Sequence, residues 1–224
     1  MKLDNEVLQD KVCDDLVIEN TEIAPVPMVP EIQLRLLRHD SPLWASFGDG
    51  PDALSIPRPY WAFGWSGGQA LARYILDHPE VVRKKWVLDF GAGCGISSIA
   101  AARSGARRVT ASDIDPMAIA AIGHNARLNK VAIDTVCSDL IYTGNRGWDV
   151  VLAGDIWYDS RLSRHGLSWL RNLAGVGVLV LAGDPGRKYS PSKGWEVLAD
   201  YSCRSVPDVE HPNFQKVSVY RLLW

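Results

Sequence analysis

The sequence predicts an α/β fold with a doubly wound, mostly parallel sheet. Segments with strand and helix patterns alternate between residues 86 and 182, which favours parallel pairing. Several of the strand segments are apolar at almost every position, which indicates a sheet covered on both faces. Glycines follow the first of these strands, at the place where an open α/β sheet binds its ligands.

The first part of the chain is expected to lie outside the alternating region. Residues 1–30 have the pattern of a short helix or arm that ends in a proline-rich linker. Apolar residues at helical spacing predict a helix over Glu31–His39. A further helix is predicted over Gln69–His78, with Pro79 as a natural stop.

The alternating region and the tail supply the remaining elements. Strands are predicted over Trp86–Phe90, Arg108–Ala111, Ile133–Cys137, Asp149–Ala153 and Val176–Ala182. Helices are predicted over Ile96–Arg103, Pro116–Leu128, Leu162–Leu173 and Trp195–Asp200. The strands Ser202–Val206 and Lys216–Leu222 are expected to close the chain as an antiparallel hairpin. We expect an N-terminal extension and linker over residues 1–56 and the main domain over residues 57–224.

Composition and charge argue against several classes of protein. A net charge of −2 gives no global basic field, so binding to nucleic acid is not favoured. No apolar run approaches about 18 residues, so no membrane partner is expected. The four cysteines are isolated and the five histidines scattered, which argues against a metal site. The first 20 residues are acidic, unlike a presequence or signal peptide, so a cytoplasmic location is expected.

The residues after the first strand of the sheet predict a cofactor site. Asp89 precedes Gly91-Ala92-Gly93-Cys94-Gly95, and glycines let the backbone turn sharply and approach a ligand closely. A dinucleotide fingerprint has the spacing G-x-G-x-x-G, whereas the spacing here is G-x-G-x-G. The acid is awkward for a pyrophosphate but suits the ammonium end of a methionine moiety. The motif therefore favours S-adenosylmethionine over a nucleotide.

Further aspartates follow the next two strands. Asp113 ends the second strand at a position that fits a carboxylate bound to ribose hydroxyls. Asp115 is expected to cap the helix that begins at Pro116, and Asp113 is open to the same role. Asp139, just past the third strand, fits either an acceptor for the adenine amino group or a solvated turn residue.

Asp155-Ile156-Trp157-Tyr158 follows a later strand, and its D-x-x-Y pattern resembles that of methyltransferase family 16. Within that family the chain is similar to the electron transfer flavoprotein β-subunit lysine methyltransferases. Three segments carry the closer similarity: Trp61–Tyr74, Asp113–Pro116 and Gly183–Arg187. The resemblance implies the class I methyltransferase fold with a seven-stranded sheet. It also implies methyl transfer from S-adenosylmethionine to protein lysines, which leaves S-adenosylhomocysteine. The animal members are mitochondrial, whereas the acidic first 20 residues here are unlike a presequence, and this departure suggests a bacterial-type version.

The resemblance further implies a role for each matching residue. The residues expected around the methionine end and the sulfonium of the donor are Trp65, Gly91, Ala92, Gly93 and Gly154. Asp113 is expected to hold the ribose, and Asp139 and Leu140 to flank the adenine. Gly183–Arg187 forms a turn that is equally open to shaping the substrate entrance.

Asp155 and Tyr158 are the candidate catalytic residues. The Asp155 carboxylate is expected to attract the lysine and aim its amine, and Tyr158 to offer a cation–π face. The structural alternatives are a helix cap for Asp155 and simple packing for Tyr158. Because a carboxylate favours the charged form of a nearby lysine, Asp155 is not expected to act as a strong base.

Two other functions stay open. The stretch from Asp89 to Asn129 also resembles ribosomal protein methyltransferases, whose equivalent of Asp155 is normally asparagine. The other function is a donor-binding interaction module without catalysis, and the presence of both Asp155 and Tyr158 argues against it.

Overall fold

The computed structural model describes residues 2–47, 57–203 and 216–224. The helices are α1 (Lys2–Asn20), α2 (Ser66–Asp77), α3 (Ile96–Arg103), α4 (Pro116–Leu128) and α5 (Ser160–Gly175). The first strands are β1 (Thr21–Val26), β2 (Val29–Leu37), β3 (Trp86–Phe90), β4 (Arg108–Asp113) and β5 (Asp134–Cys137). They are followed by β6 (Val150–Gly154), β7 (Leu179–Asp184), β8 (Trp195–Ser202) and β9 (Lys216–Leu222).

A seven-stranded sheet in the order β5-β4-β3-β6-β7-β9-β8 forms the centre of the molecule. The strands from β5 to β7 are parallel, whereas β9 runs antiparallel to both β7 and β8. The chain runs outward from β3 to β4 and β5 and then returns to the other side of β3 as β6, so the strand order reverses between β3 and β6. Because β3, β4 and β6 are parallel, the residues that follow these strands meet at one edge of the sheet. Open α/β sheets bind their ligands at this edge, where the strand order reverses. The predicted fold class is confirmed.

Alternate residues of the central strands enter two different cores. Val150 and Leu152 of β6 pack in the core that α2 and α3 cover. Val151 and Ala153 pack in the core that α5 covers, beside Leu170. This division explains why β6 is apolar at every position except its final glycine.

The helix predicted over Glu31–His39 is wrong, because this segment is strand β2. Ile32 and Leu34 are fully buried while Gln33 between them is exposed, so the burial period is two rather than 3.6. β1 pairs with β2 as an antiparallel hairpin where an extended linker was expected. The apolar face of this hairpin joins the core beneath α2 and α3.

Asparagine side chains in α4 and directly after it hold the hairpin against the domain. The backbone N–H of Arg35 donates to Asn125 Oδ1 at 2.8 Å, and that of Gln33 to Asn129 Oδ1 at 3.2 Å. Asn125 is fully buried, and its amide nitrogen also donates to the carbonyl of Cys94 at 2.9 Å. One side chain therefore ties β2 to the glycine loop after β3.

The helix predicted over Trp195–Asp200 is also wrong, because this segment is strand β8. The pairing of β8 with β9 shifts register between Val197 and Ala199, which places Leu198 in a bulge. A bulge changes the phase of the alternation and so imitates helical spacing in the sequence. The predicted strand Lys216–Leu222 is confirmed as β9. Residues 204–206 of the other predicted strand lie outside the described part of the chain.

Glycines allow α2 to lie almost in backbone contact with the ends of β6 and β7. A Cβ added to Gly67 would lie 2.2 Å from the carbonyl oxygen of Gly183 and 2.6 Å from Asp155 Oδ2. A Cβ added to Gly154 would lie 3.0 Å from the Cα of Gly68. No larger side chain fits in these places unless the backbone shifts.

We expect Gly67→Ala to lower the free energy of unfolding by about 2–3 kcal/mol, since the new methyl group would overlap a carbonyl oxygen. Gly123→Ala in α4 is the matched control, because a Cβ at Gly123 meets nothing within 4 Å. Chemical denaturation should show this control unchanged or stabilised by about 0.5–1 kcal/mol. Equal effects of the two substitutions would contradict the close contact.

Candidate active site

The loop after β3 has the backbone conformation that its glycines permit. Gly91 and Gly93 have φ angles of 65° and 52°, in the left-handed region that a residue with a side chain rarely adopts. A Cβ added to Gly93 would meet nothing within 4 Å, so the loop is open on that side. This backbone forms one wall of a cavity at the carboxyl edge of the sheet.

Asp89 is buried beneath this loop, with 2% of its surface exposed. Its Oδ2 accepts hydrogen bonds from the backbone N–H and the hydroxyl of Ser98, at 2.9 and 2.6 Å. Burial raises the pKa of this carboxyl to about 6, although the bonds from Ser98 oppose the shift. Asp89 also lines the cavity, so it fixes the start of α3 and presents an acid to a ligand.

Asp113 joins the end of β4 to the glycine loop. Its Oδ2 accepts from the backbone N–H of Gly93 at 2.9 Å, and its Oδ1 from that of Asp115 at 3.0 Å. Asp115 is the residue that caps α4, through the N–H of Met117 at 2.8 Å. The prediction of a capping role for Asp115 is confirmed, and Asp113 is left beside the cavity rather than at the helix start.

The cavity measures about 40 Å³ and brings together most of the predicted cofactor residues. Its walls include Trp65, Asp89, Gly91, Ala92, Gly93 and Gly154, together with the candidate catalytic residue Asp155. An acid, an indole ring and exposed glycine backbone fit the charged methionine end of S-adenosylmethionine.

The residues expected around the ribose and adenine lie outside the walls of this cavity. Asp113 is connected to it through Gly93. Asp139 is exposed, and its Oδ1 accepts from the backbone N–H of Ile141 at 2.9 Å. Leu140 is buried in the core beneath α5. The backbone N–H of Ser138 donates to the carbonyl of Asp113 at 3.0 Å, so the loops after β4 and β5 are neighbours.

Asp155 follows β6 and caps a helix that is distant in sequence. It is 6% exposed, and its φ of 57° is an uncommon conformation that aspartate tolerates better than most residues. Its Oδ2 accepts from the backbone N–H of Gly68 at 2.8 Å, in the first turn of α2. A carboxylate is favourable at this position because the N-terminus of a helix carries partial positive charge. The helix-cap alternative considered for Asp155 therefore applies to α2, since α5 is capped by Asp159.

Arg187 opposes the charge of Asp155. Its Nε and Nη2 donate to Asp155 Oδ1 at 3.1 and 2.7 Å, a two-point pairing that fixes both side chains. The same guanidinium lies over the ring of Trp65, 5.3 Å from its centroid. Arg187 therefore connects the carboxylate to the aromatic wall of the cavity.

Aromatic rings surround the outer side of the cavity. The indole N–H of Trp65 donates to the carbonyl of Tyr60 at 2.8 Å, and the two rings lie 5.9 Å apart. Tyr60 also packs against Tyr158, with ring centroids 5.6 Å apart. Tyr158 is 52% exposed, yet neighbouring atoms still desolvate its hydroxyl and raise its pKa. Tyr158, which is expected to offer a cation–π face to the lysine, therefore lies at the surface, next to rings that reach the cavity.

Comparison with known proteins identifies the family. The family model for ribosomal protein L11 methyltransferase (PrmA) matches residues 69–156. The electron transfer flavoprotein beta subunit lysine methyltransferase of Danio rerio is 44% identical over 176 residues, which are 77% of this chain and 67% of that protein. Its homolog in Caenorhabditis elegans is 34% identical over 92% of this chain and 94% of that protein. The chain belongs to the family of the electron transfer flavoprotein beta subunit lysine methyltransferases.

Solved structures support the fold of the family. Magnesium protoporphyrin IX methyltransferase from Synechocystis PCC 6803, with bound S-adenosylhomocysteine, superposes with a TM-score of 0.51. It is 16% identical in sequence and covers 80% of this chain and 92% of that chain. The cofactor of the family is S-adenosylmethionine, as the glycine motif predicts.

Sequence reasoning missed two parts of the site that depend on tertiary contacts. Gly67 and Gly68 lie in the segment Trp61–Tyr74 that carries the family resemblance, and the signal for close packing is the pair of neighbouring glycines at the start of a helix. The pairing of Arg187 with Asp155 was also missed. The Gly183–Arg187 turn was considered for the substrate entrance, but no sequence spacing points from it to Asp155.

The raised pKa of Asp89 should appear in the pH dependence of stability. A carboxyl with a higher pKa in the folded protein binds protons more tightly there, so unfolding releases a proton between about pH 4 and 6. The contribution of Asp89 to the free energy of unfolding therefore falls as pH rises through this window. Asp89→Asn removes that fall.

We expect the stability of Asp89→Asn relative to wild type to increase by roughly 1–3 kcal/mol between pH 4.5 and 7. Urea denaturation at both pH values measures the change, and any hydrogen bond lost at both pH values cancels. A difference that is the same at pH 4.5 and 7 would contradict the raised pKa.

Proposed function

We propose that this protein transfers methyl groups from S-adenosylmethionine to lysine side chains of the electron transfer flavoprotein β-subunit. The family and its named relatives support the substrate. Among the features of the site, the paired carboxylate of Asp155 in the cavity wall carries the proposal. Its oxygens can accept a hydrogen bond from an amine, and it lines the same cavity as the residues that we assign to the sulfonium end of the donor.

The reaction requires a lysine with a free lone pair. A free lysine has a pKa of about 10.4, so the neutral amine costs on the order of 4.6 kcal/mol at pH 7. The bound donor supplies a methyl group on a positively charged sulfur, which the amine displaces in line. The protein must therefore attract a cation, favour its deprotonation and aim the nitrogen.

Asp155 and Arg187 together are suited to attract the lysine, favour its deprotonation and orient its nitrogen. A lone buried carboxylate would stabilise the lysine ammonium and raise its pKa. Arg187, bonded to Oδ1, and the N-terminus of α2, bonded to Oδ2, both reduce that effect. Asp155 is thus able to accept a hydrogen bond from the amine while favouring the charged lysine less strongly. We assign it the role of orienting the amine, and the proton leaves to solvent before transfer.

The aromatic residues provide a path toward Asp155. Tyr158 at the surface packs on Tyr60, which packs on Trp65 in the cavity wall. A lysine ammonium is attracted to the faces of such rings, typically by about 0.5–1 kcal/mol at exposed sites. We assign Tyr158 to the channel that receives the lysine.

Ribosomal protein L11 is the second candidate substrate, because the family model of that name matches residues 69–156. The aspartate at position 155 argues against it, since asparagine normally begins the corresponding motif of ribosomal protein methyltransferases. Both proteins are therefore compared directly in the experiment.

The deciding experiment incubates the purified protein with donor and either purified electron transfer flavoprotein or ribosomal protein L11. Mass spectrometry of lysines should show methylation of the flavoprotein β-subunit and none of L11. Methylation of L11 alone would replace the substrate, and methylation of neither would favour the non-catalytic interaction module.

Asp155→Asn tests the orienting role. We expect kcat to fall by about 100-fold or more, because the lysine amine is no longer oriented toward the methyl group. The Kd for S-adenosylhomocysteine should change by less than about threefold. Calorimetry and initial rates measure the two effects. Asp134→Asn is the matched control, because Asp134 also pairs with an arginine, Arg108 at 2.7 Å, but at the opposite edge of the sheet. An equal loss of donor affinity in Asp155→Asn would assign Asp155 to the cofactor instead.

Arg187→Met tests whether the guanidinium favours lysine deprotonation. Without it, Asp155 would stabilise the ammonium more strongly, so we expect the pH–rate profile to shift to higher pH by about 0.5–1 unit. Arg187→Lys should keep the wild-type profile more closely. The matched control is Arg108→Met, because Arg108 lies over Trp86 as Arg187 lies over Trp65. A shift of the same size in both methionine variants would contradict the account.

Cellular location stays a prediction. None of the helices that the structure describes is long and apolar enough to cross a membrane. Within the described residues there is also no cluster of histidine, cysteine and acidic side chains suited to a metal ion. We retain the cytoplasm as the expected location and residues 57–224 as the expected catalytic domain.

A further inference from the structure

A second cavity lies on the other side of β7 from α2, between the turn after β6 and strands β8 and β9. It measures about 30 Å³, and aromatic rings of Trp157, Trp195 and Tyr220 line it. The centroid of the Trp195 ring lies 5.8 Å from that of Trp157 and 6.1 Å from that of Tyr220. Both pairs meet edge to face, at interplanar angles of 71° and 65°, so the rings enclose the cavity from different directions.

The carboxylate of Asp184 lines the same cavity, together with Ala182, Ser190 and Pro191. Asp184 is 2% exposed, and its Oδ2 accepts from the backbone N–H groups of Gly186 and Arg187, at 2.8 and 3.0 Å, and from the hydroxyl of Ser190. Its Oδ1 has no hydrogen-bond partner among the residues that the structure describes. Burial raises the pKa of this carboxyl, and the bonds to Oδ2 oppose that shift.

A buried carboxylate oxygen without a partner is costly, and it indicates a group that is supplied from outside the chain. The faces of aromatic rings carry negative potential, as does the carboxylate, so the cavity is complementary to a cation. An ammonium group satisfies both features, because it donates a hydrogen bond to Oδ1 and lies against the rings.

We propose that the cavity of Trp157, Trp195, Tyr220 and Asp184 binds the ammonium of a second lysine of the protein substrate, beside the lysine that is methylated. This inference rests on the proposed function for the identity of the partner. Its chemistry, an ammonium held by a carboxylate and indole rings, rests on the cavity alone.

The chain itself and two hydrogen bonds of Arg187 place this second site next to the reacting one. Trp157 follows Asp155 by two residues, and the backbone N–H of Arg187 is bonded to Asp184 while its side chain is bonded to Asp155. A lysine held at Asp184 therefore fixes the substrate segment relative to the amine at Asp155. The site contributes to substrate affinity and positioning, and it takes no part in the transfer itself.

A bound water is the simple alternative occupant. The indole N–H of Trp195 is also without a partner among the described residues, and one water bridging it to Asp184 Oδ1 would satisfy both atoms. A water gives no response to an added cation. Discrimination between a charged side chain and a neutral side chain that lacks only the terminal ammonium therefore separates the two occupants.

The test uses the full chain labelled with 5-fluorotryptophan, whose Trp195 signal is assigned in the fluorine NMR spectrum by the variant Trp195→Phe. The probe is Nα-acetyl-lysine methylamide, and the neutral probe is the corresponding norleucine amide. We expect a saturable shift of the Trp195 signal with the lysine probe and none with the norleucine probe. A shift with both probes, or with neither, overturns the proposal and favours the bound water.

Asp184→Asn is the second part of the test. The amide oxygen of the asparagine can accept the hydrogen bonds now made to Oδ2, whereas the negative charge that faces the cavity is lost. We expect the lysine probe to bind at least about tenfold more weakly, and KM for the flavoprotein to rise with little change in kcat. Asp200→Asn is the control, since Asp200 lies on β8, the strand that supplies Trp195 to the cavity, but pairs with Lys216 at 2.9 Å. Unchanged probe binding in Asp184→Asn overturns the site.

The outcomes distinguish this site from the proposed function. If the wild-type protein binds the lysine probe at Trp195 but does not methylate the flavoprotein, the second site is supported and the proposed substrate is wrong. Wild-type protein that methylates the flavoprotein but leaves the Trp195 signal unchanged keeps the function and rejects the second site.

Discussion

The Asp155 carboxylate holds the site together. It follows β6, accepts a hydrogen bond from the backbone N–H of Gly68 in the first turn of α2, and pairs with Arg187 from the turn after β7. Three segments that are far apart in sequence therefore meet on two oxygen atoms. The glycines at 67, 154 and 183 are required by the same arrangement, because α2 must approach the strand ends closely for the hydrogen bond to form.

This arrangement also explains how an acid can serve in an amine-methylating site. The reacting nitrogen must arrive as a cation and react as a neutral amine, so a strong unopposed carboxylate would bind the lysine and hinder transfer. The positive charge of Arg187 and the dipole of α2 partly compensate the negative charge of Asp155. The two oxygens remain acceptors, so in the proposed mechanism the acid orients the amine while its effect on the lysine pKa is reduced.

The central sheet could be predicted from the sequence because its information is local. Trp86–Phe90, Ile96–Arg103 and Pro116–Leu128 have the bounds expected from periodicity, glycines and an initial proline. β2 and β8 could not be predicted in the same way. Ile32 and Leu34 satisfy both periods in a short apolar segment, and the bulge at Leu198 disrupts alternation. The cap of α2 could not be predicted for another reason. Asp155 and Gly68 are distant in sequence, and the sequence pattern of a helix does not show which distant residue caps it.

The pKa of the target lysine in the assembled complex tests this account most directly. The flavoprotein β-subunit, with lysine labelled by ¹³C at the ε-carbon, would be bound to the protein together with a nonreactive cationic analogue of the donor. Titration followed by NMR should give a pKa for the target lysine below its value in the free β-subunit, by about one unit or more. A pKa at or above the free value would show that the charge of Asp155 is not balanced, and would contradict the central claim.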